Sequence, residues 1–122
     1  GLGRAGAARV RATGDAGPFA LRAIVSRRPA LSTASWTEVL ARSDVQAVAI
    51  CTENALHAEL ADGALRAGKH VLVEFPLATR ASDYEALYRL AAARELVLHE
   101  EHIELLTPAH RAWRALLSAR SA

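Results

Sequence analysis

Apolar residues along this chain fall into two rhythms. Short, partly β-branched runs at residues 19–25, 45–52, 70–74 and 96–99 have the length and make-up of strands buried on both faces. Between them, apolar positions recur at helical spacing. Residues 7–13, rich in alanine and carrying Arg9 and Arg11, read as an exposed helix stopped by Gly14, Gly17 and Pro18. Ser35 caps a short helix over residues 36–41, and Glu38 at its third position completes a capping box. A longer helix opens at Glu53 and Asn54 and runs to about Ala67, with Leu56, Leu60, Ala61, Ala64 and Leu65 on one stripe and Gly68 as its stop. Ser82 is the expected cap of a helix that turns Tyr84, Leu87, Tyr88 and Ala91 to one side. The last helix starts at Thr107 and Pro108, proline suiting the first position, and is expected to bury Ala109, Trp113, Leu116 and Leu117.

Strands and helices therefore alternate. Alternation of this kind implies right-handed βαβ crossovers and an α/β fold with a doubly wound parallel sheet. Ligands of such sheets bind outside the carboxyl ends of the strands. Those ends hold nearly all the chemically suggestive residues: Ser26 to Arg28, Cys51 to Asn54, Glu74 to Pro76, and His99 to His102. On the same edge lies Gly1-Leu2-Gly3-Arg4-Ala5-Gly6, a G-x-G-x-x-G. Such glycines make a tight strand-to-helix turn that lets a pyrophosphate approach the helix N-terminus, where free N–H groups and the dipole favour an anion. Gly1, Gly3, Arg4, Ala5 and Gly6 are accordingly expected to hold the phosphates of a dinucleotide.

Composition narrows the picture. A chain of 122 residues, 52% hydrophobic and 23% charged, fits one globular domain. The net charge of +2 is too small, and the arginines too scattered, to suggest a nucleic-acid partner. One cysteine, Cys51, excludes an internal disulfide, and no apolar run reaches the ~20 residues of a membrane span, so a soluble, cytoplasmic protein is expected.

Several side chains carry specific chemistry. About 20 residues after the fingerprint a dinucleotide fold places the group that reads the ribose. Here that position is Ser26, followed by Arg27 and Arg28, a set that suits a 2′-phosphate better than a bare hydroxyl and predicts NADP over NAD. His99-Glu100-Glu101-His102 lacks the spacing of a helical zinc site, and neighbours on a strand face opposite ways, so no metal is expected. Glu101, His102 and Glu104 are instead expected to rim a substrate cleft or cap the final helix. Cys51 reads as an inert residue at the edge of the core.

These residues together resemble the glucose–fructose oxidoreductase/inositol dehydrogenase/MocA (Gfo/Idh/MocA) family. The resemblance rests on residues 1–6, on Thr52-Glu53-Asn54-Ala55-Leu56-His57, on Ala67-Gly68-Lys69-His70-Val71-Leu72-Val73-Glu74-Phe75-Pro76, and on residues 97–106. Within the family the chain is most similar to the bilin-reducing branch. That likeness lies in Gly3-Arg4-Ala5-Gly6, Val25-Ser26-Arg27-Arg28, Glu53 in place of the usual proline, and above all Val97-Leu98-His99-Glu100-Glu101-His102-Ile103-Glu104-Leu105-Leu106.

The resemblance implies a Rossmann domain followed by a second α/β domain, with hydride transfer between a nicotinamide and a small molecule in the cleft. It adds Cys51, Thr52, Glu53, Asn54, His57, Glu74 and Phe75 to the expected cofactor-binding residues. Sugar-type members use the lysine of E-K-P as a proton relay, and Phe75 stands there. A phenyl ring exchanges no proton, which argues against dehydrogenation of an alcohol by that relay, and Phe75 departs as well from the tyrosine usual in the bilin-reducing branch while keeping its aromatic ring. The resemblance to that branch implies a linear tetrapyrrole as substrate, with Glu101 and Glu104 as the nearest candidate acids. A sugar or other small carbonyl or imine substrate, and a non-catalytic NAD(P)-binding regulatory role, are the competing readings. Residues 1–122 are expected to be an NAD(P)-binding Rossmann domain truncated at both ends. In this expectation the missing first strand is central, and without it the strands at Phe19 and Val45 lose their neighbour at His70, which leaves unpaired backbone edges and a marginally stable piece.

Overall fold

The computed structural model describes residues 1–13 and 18–120. Its elements are helix α1 (Arg4–Ala12), α2 (Trp36–Ala41), strand β1 (Ala47–Ile50), α3 (His57–Arg66), β2 (His70–Glu74), α4 (Ala81–Ala93), β3 (Leu98–Glu101) and α5 (Pro108–Arg120), with short 3-10 turns between them. The strands form a parallel sheet of order β1-β2-β3, which is the expected α/β architecture.

Strand β1 pairs directly with β2, from Ala47 opposite His70 to Ile50 opposite Val73. The expected separation of these two strands is therefore corrected. What lacks a ladder is the segment at residues 19–25, predicted as a buried strand: it is extended but belongs to no sheet among the described residues, and Phe19 is 68% exposed. In the order 3-2-1-4 its partner would lie between it and β1, and no described strand fills that slot. It is held instead by the next turn, where Thr33 N–H donates to Ile24 O at 2.8 Å.

Alternation along the strands sorts the core. Val71 and Val73 are buried on one face of β2, together with Ala61, Ala64 and Leu65 of α3 and with Leu87 and Ala91 of α4. Glu74 points to the other face, where α1 lies, because Arg9 of that helix reaches it.

Caps explain most boundaries. Ser35 accepts from Glu38 N–H while the Glu38 carboxylate accepts from Ser35 N–H, the predicted capping box. Gly68, at φ +75, ends α3 with a Schellman pair: its N–H donates to Leu65 O and that of Lys69 to Ala64 O. The same bonds end α4, but there Glu95 takes the left-handed position at φ +55. Gly14 and Gly17 lie outside the described residues, and α1 ends on Thr13.

Several boundaries differ from expectation. Helix α1 begins at Arg4 rather than residue 7, β1 is confined to Ala47–Ile50, and α3 opens at His57 after the 3-10 turn Asn54–Leu56. Ser82 sits inside α4, whose N-cap is Arg80 with no side-chain capping bond. Strand β3 lies two residues beyond the predicted start, since its register is set by pairing with Val71–Glu74 rather than by the apolar run itself. Helix α5 does begin at Pro108, but it packs mainly on the 3-10 turn Ile103–Leu106 and leaves Trp113 60% and Leu116 62% exposed. Ala109 and Leu117 are exposed as well.

One buried carboxylate anchors the end of the sheet. Glu100 of β3 accepts hydrogen bonds from Leu77 N–H at 2.6 Å and from the Tyr84 hydroxyl, and its other oxygen lies 3.2 Å from His102 Nε2. Burial, then the bond to Glu100, pushes the Tyr84 phenol above its usual pKa. Replacing Glu100 by Ala strands a buried N–H and a hydroxyl, and should lower unfolding free energy by about 2–4 kcal/mol. Denaturant unfolding of the Glu100→Ala and Tyr84→Phe variants measures this, and a loss under about 1 kcal/mol for Glu100→Ala contradicts the anchoring role.

Candidate functional site

The glycine turn is shaped by close backbone approach. A Cβ on Gly6 would lie 1.9 Å from Gly1 O, and one on Gly1 would lie 2.8 Å from Cys51 O. No side chain fits at either position. Nothing lies within 4 Å of where a Gly3 Cβ would stand, so that glycine leaves open space in front of α1. Gly3 is the N-cap, with no side-chain bond and no acidic residue in the first turn. The first helical bond runs from Ala7 N–H to Gly3 O, which leaves the N–H groups of Arg4, Ala5 and Gly6 directed out of the helix end. This arrangement fits a pyrophosphate.

Beside it opens a cleft of about 520 Å³. Its floor is Gly1, Leu2 and Gly3; one wall is Val25 to Arg28, the other Cys51 to Glu53 with Leu56 and Leu60. Apolar Val25, Leu56 and Leu60 give a slot for a flat ring, a contribution that periodicity alone assigned to the core. Ser26 Oγ accepts from Arg28 N–H at 3.1 Å, which folds the turn and leaves its proton free to donate outward. Arg28 Nη2 donates to Leu2 O at 2.7 Å, tying this wall to the glycine floor. Arg27 forms a two-pronged ion pair with Glu53 across the cleft, both bonds 3.0 Å.

The remaining predicted residues gather elsewhere on the same sheet edge. His57 is buried, with Nδ1 2.7 Å from Pro76 O and Nε2 3.3 Å from Thr52 O. Both neighbours are carbonyl oxygens, and the shorter contact, through Nδ1, ties the start of α3 to the turn after β2. Asn54 is exposed in the 3-10 turn Asn54–Leu56 and, like His57, Glu74 and Phe75, is not part of the cleft wall. Phe75 is 62% exposed and stands 5.6 Å, ring to ring, from His102.

Alternation divides the glutamates of β3. Glu100 faces α4, whereas Glu101, opposite Glu74 in the register, faces α1. Arg9 bridges the latter two, with Nη2 2.9 Å from Glu74 and 2.8 Å from Glu101. Burial works against the Arg9 charge, but the two carboxylates outweigh it and raise its pKa. Sequence reading missed Arg9 because only the sheet brings these residues together. Glu104 lies exposed in the 3-10 turn Ile103–Leu106, without a side-chain partner among the described residues.

Cys51 directs its sulfur at Glu74 Oε1, 3.8 Å away. Burial, then the Glu74 carboxylate, pushes the thiol above its usual pKa against a smaller pull from Arg9. At pH 8 the thiol should therefore alkylate with iodoacetamide more slowly than free cysteine, and an equal or faster rate contradicts this environment.

Comparison with known proteins places this geometry. Residues 1–102 match the model of the Gfo/Idh/MocA oxidoreductase family, NAD-binding Rossmann fold. Biliverdin reductase A of Mus musculus is 42% identical over 114 residues, 87% of this chain and 39% of that protein. The chain thus spans about two-fifths of the length of the curated relatives it first matches. Biliverdin reductase from Synechocystis sp. PCC 6803, solved with biliverdin and NADP+, superposes with TM-score 0.65 at 42% identity, covering 69% of this chain and 27% of that one. A 3-ketoreductase from Actinomadura kijaniata, solved with TDP-benzene and NADP, gives TM-score 0.65 and 42% identity over 70% of this chain and 27% of its own. Matched by one family model from its glycine turn to the end of its last strand, the chain belongs to the Gfo/Idh/MocA oxidoreductases, as their NAD-binding Rossmann fold.

Proposed function

We propose that this chain is the NADP-binding domain, residues 1–122, of an oxidoreductase that reduces a linear tetrapyrrole. Bound NADPH would supply the hydride. Gly1, Gly3, Gly6 and the first-turn N–H groups of Arg4 and Ala5 would hold the pyrophosphate, because the helix end is open, free of acidic side chains and fronted by empty space. Ser26, Arg27 and Arg28 would receive a 2′-phosphate, while Cys51, Thr52 and Glu53 wall the adenosine.

The single observation that carries the substrate reading is Phe75. An exposed phenyl ring at the end of β2, beside the His102 ring, offers a flat apolar surface to a conjugated substrate and has no proton to give. The similarity to two biliverdin reductases supports the same choice. Reduction then requires a proton from another group. Glu101 and Glu104 are the candidates, and their surroundings separate them: Glu101 is engaged by Arg9, whereas Glu104 is exposed and without a side-chain partner among the described residues. His57 and Glu74 would position the turn and the strand end rather than touch the cofactor.

A second reading, reduction of a sugar ketone, draws on the likeness to the 3-ketoreductase. Phe75 in place of a lysine relay weighs against it. Adding NADPH and biliverdin to the full-length protein tests the choice: an absorbance shift to bilirubin is expected, and turnover of a keto sugar instead would overturn it. Glu104→Gln should lower kcat roughly 100-fold without changing NADP affinity, and unchanged kinetics would remove Glu104 from the mechanism. NADP should bind more tightly than NAD, with tighter NAD binding refuting the role given to residues 26–28.

A further inference from the structure

The ion pair across the cleft is unnecessary to either wall. The bend at Arg27 is held by Arg28 N–H on Ser26 Oγ and by Ser26 N–H on Ser32 Oγ, both 3.1 Å. Glu53 anchors the opposite wall through its carbonyl, which accepts from Leu56 N–H at 3.0 Å. Neither support involves the Arg27 guanidinium or the Glu53 carboxylate. With the Arg27 side chain 83% exposed and that of Glu53 48%, the pair sits in water, where such contacts contribute little to stability. Yet both terminal nitrogens of Arg27 are committed to the two carboxylate oxygens, and the pair bridges residues that line opposite sides of one cleft.

We propose that Glu53 is a specificity-determining residue that narrows the preference for a 2′-phosphate: it latches Arg27 across the cleft and competes with that phosphate for the guanidinium, while a ligand with a bare 2′-hydroxyl is unaffected. This rests on the reading of the cleft as the adenosine site. A phosphate dianion next to Ser26 carries more charge than the carboxylate and offers the same two-point geometry, so it displaces Glu53 from the guanidinium. A bare 2′-hydroxyl offers no such exchange and leaves the latch closed. The displaced carboxylate remains close to the incoming phosphate, so Glu53 weakens 2′-phosphate binding both by competing for Arg27 and by repulsion. Arg28 engages Leu2 O through Nη2 alone and is not part of this competition.

The probes are 2′,5′-ADP and 5′-ADP, titrated calorimetrically into the full-length protein at low salt. Glu53→Gln removes the competing charge, and 2′,5′-ADP should bind about three- to fivefold more tightly while 5′-ADP is unchanged. In an Arg27→Ala background the same substitution should have no such effect, because the latched group is gone. The gain should also shrink at high salt. Equal tightening of both ligands, weaker 2′,5′-ADP binding, or a gain that persists without Arg27 would overturn the latch. Failure of either probe to bind the unaltered protein would overturn the adenosine site itself, and the latch with it; binding of both with no response to Glu53→Gln would overturn the latch alone.

Discussion

The architecture of the site depends on a contact between backbones. Gly6 lies against Gly1 O so closely that any Cβ would overlap it, and Gly1 lies against Cys51 O. Only a side-chain-free turn lets α1 come down onto the strand ends, and that descent has three effects at once. It aims the unpaired N–H groups of the first turn at the cleft mouth. It sets Leu2 as the carbonyl on which Arg28 closes the wall. It also brings Arg9, two turns along, within reach of β2 and β3.

The last of these answers an electrostatic difficulty. Glu74 and Glu101 are register partners on adjacent strands and point to the same face, where like charges repel. Arg9 sits between them as a shared counterion, at 2.9 and 2.8 Å. Helix α1 thus joins the glycine turn to the strand ends where Phe75 and His102 lie. The other carboxylates are treated differently according to burial: Glu100 is enclosed and accepts from Leu77 N–H and the Tyr84 hydroxyl, while Glu53 is exposed and paired with Arg27.

Where local chemistry decides the structure, it was legible in the chain. Ser35 and Glu38 form their capping box, Gly68 takes the left-handed stop, Pro108 opens the last helix, and residues 70–74 form a strand as read. What depends on distant partners was not. Residues 19–25 have strand composition, but a ladder needs a neighbour as well as a propensity. The stripe on α5 has core periodicity, yet periodicity does not supply a surface to cover it, and Trp113 stays exposed. Glu95 carries no glycine signal, yet it takes φ +55 in the hydrogen-bonded turn that ends α4. In the site, the glycines, Ser26 to Arg28 and Glu53 were visible as motifs at strand ends, whereas the bridging of Glu74 and Glu101 by Arg9 spans 65 and 92 residues of sequence and emerges only on folding.

The two adjacent glutamates of β3 have a consequence for how the strand finds its place. A slip of one residue would bring Glu101 to the Tyr84 side but put His102 where Arg9 waits, or bring Glu100 to Arg9 but turn His99 toward Tyr84. In either frame one carboxylate site is filled by an imidazole, so the histidines that flank the pair make the slipped ladders distinguishable from the native one. Leu98 acts in the same sense, since it packs against the core in the native pairing and would turn away from it in a slipped one. Both ends of the strand thus report the same register, and a change at Leu98 bears on the placement of both glutamates without touching either.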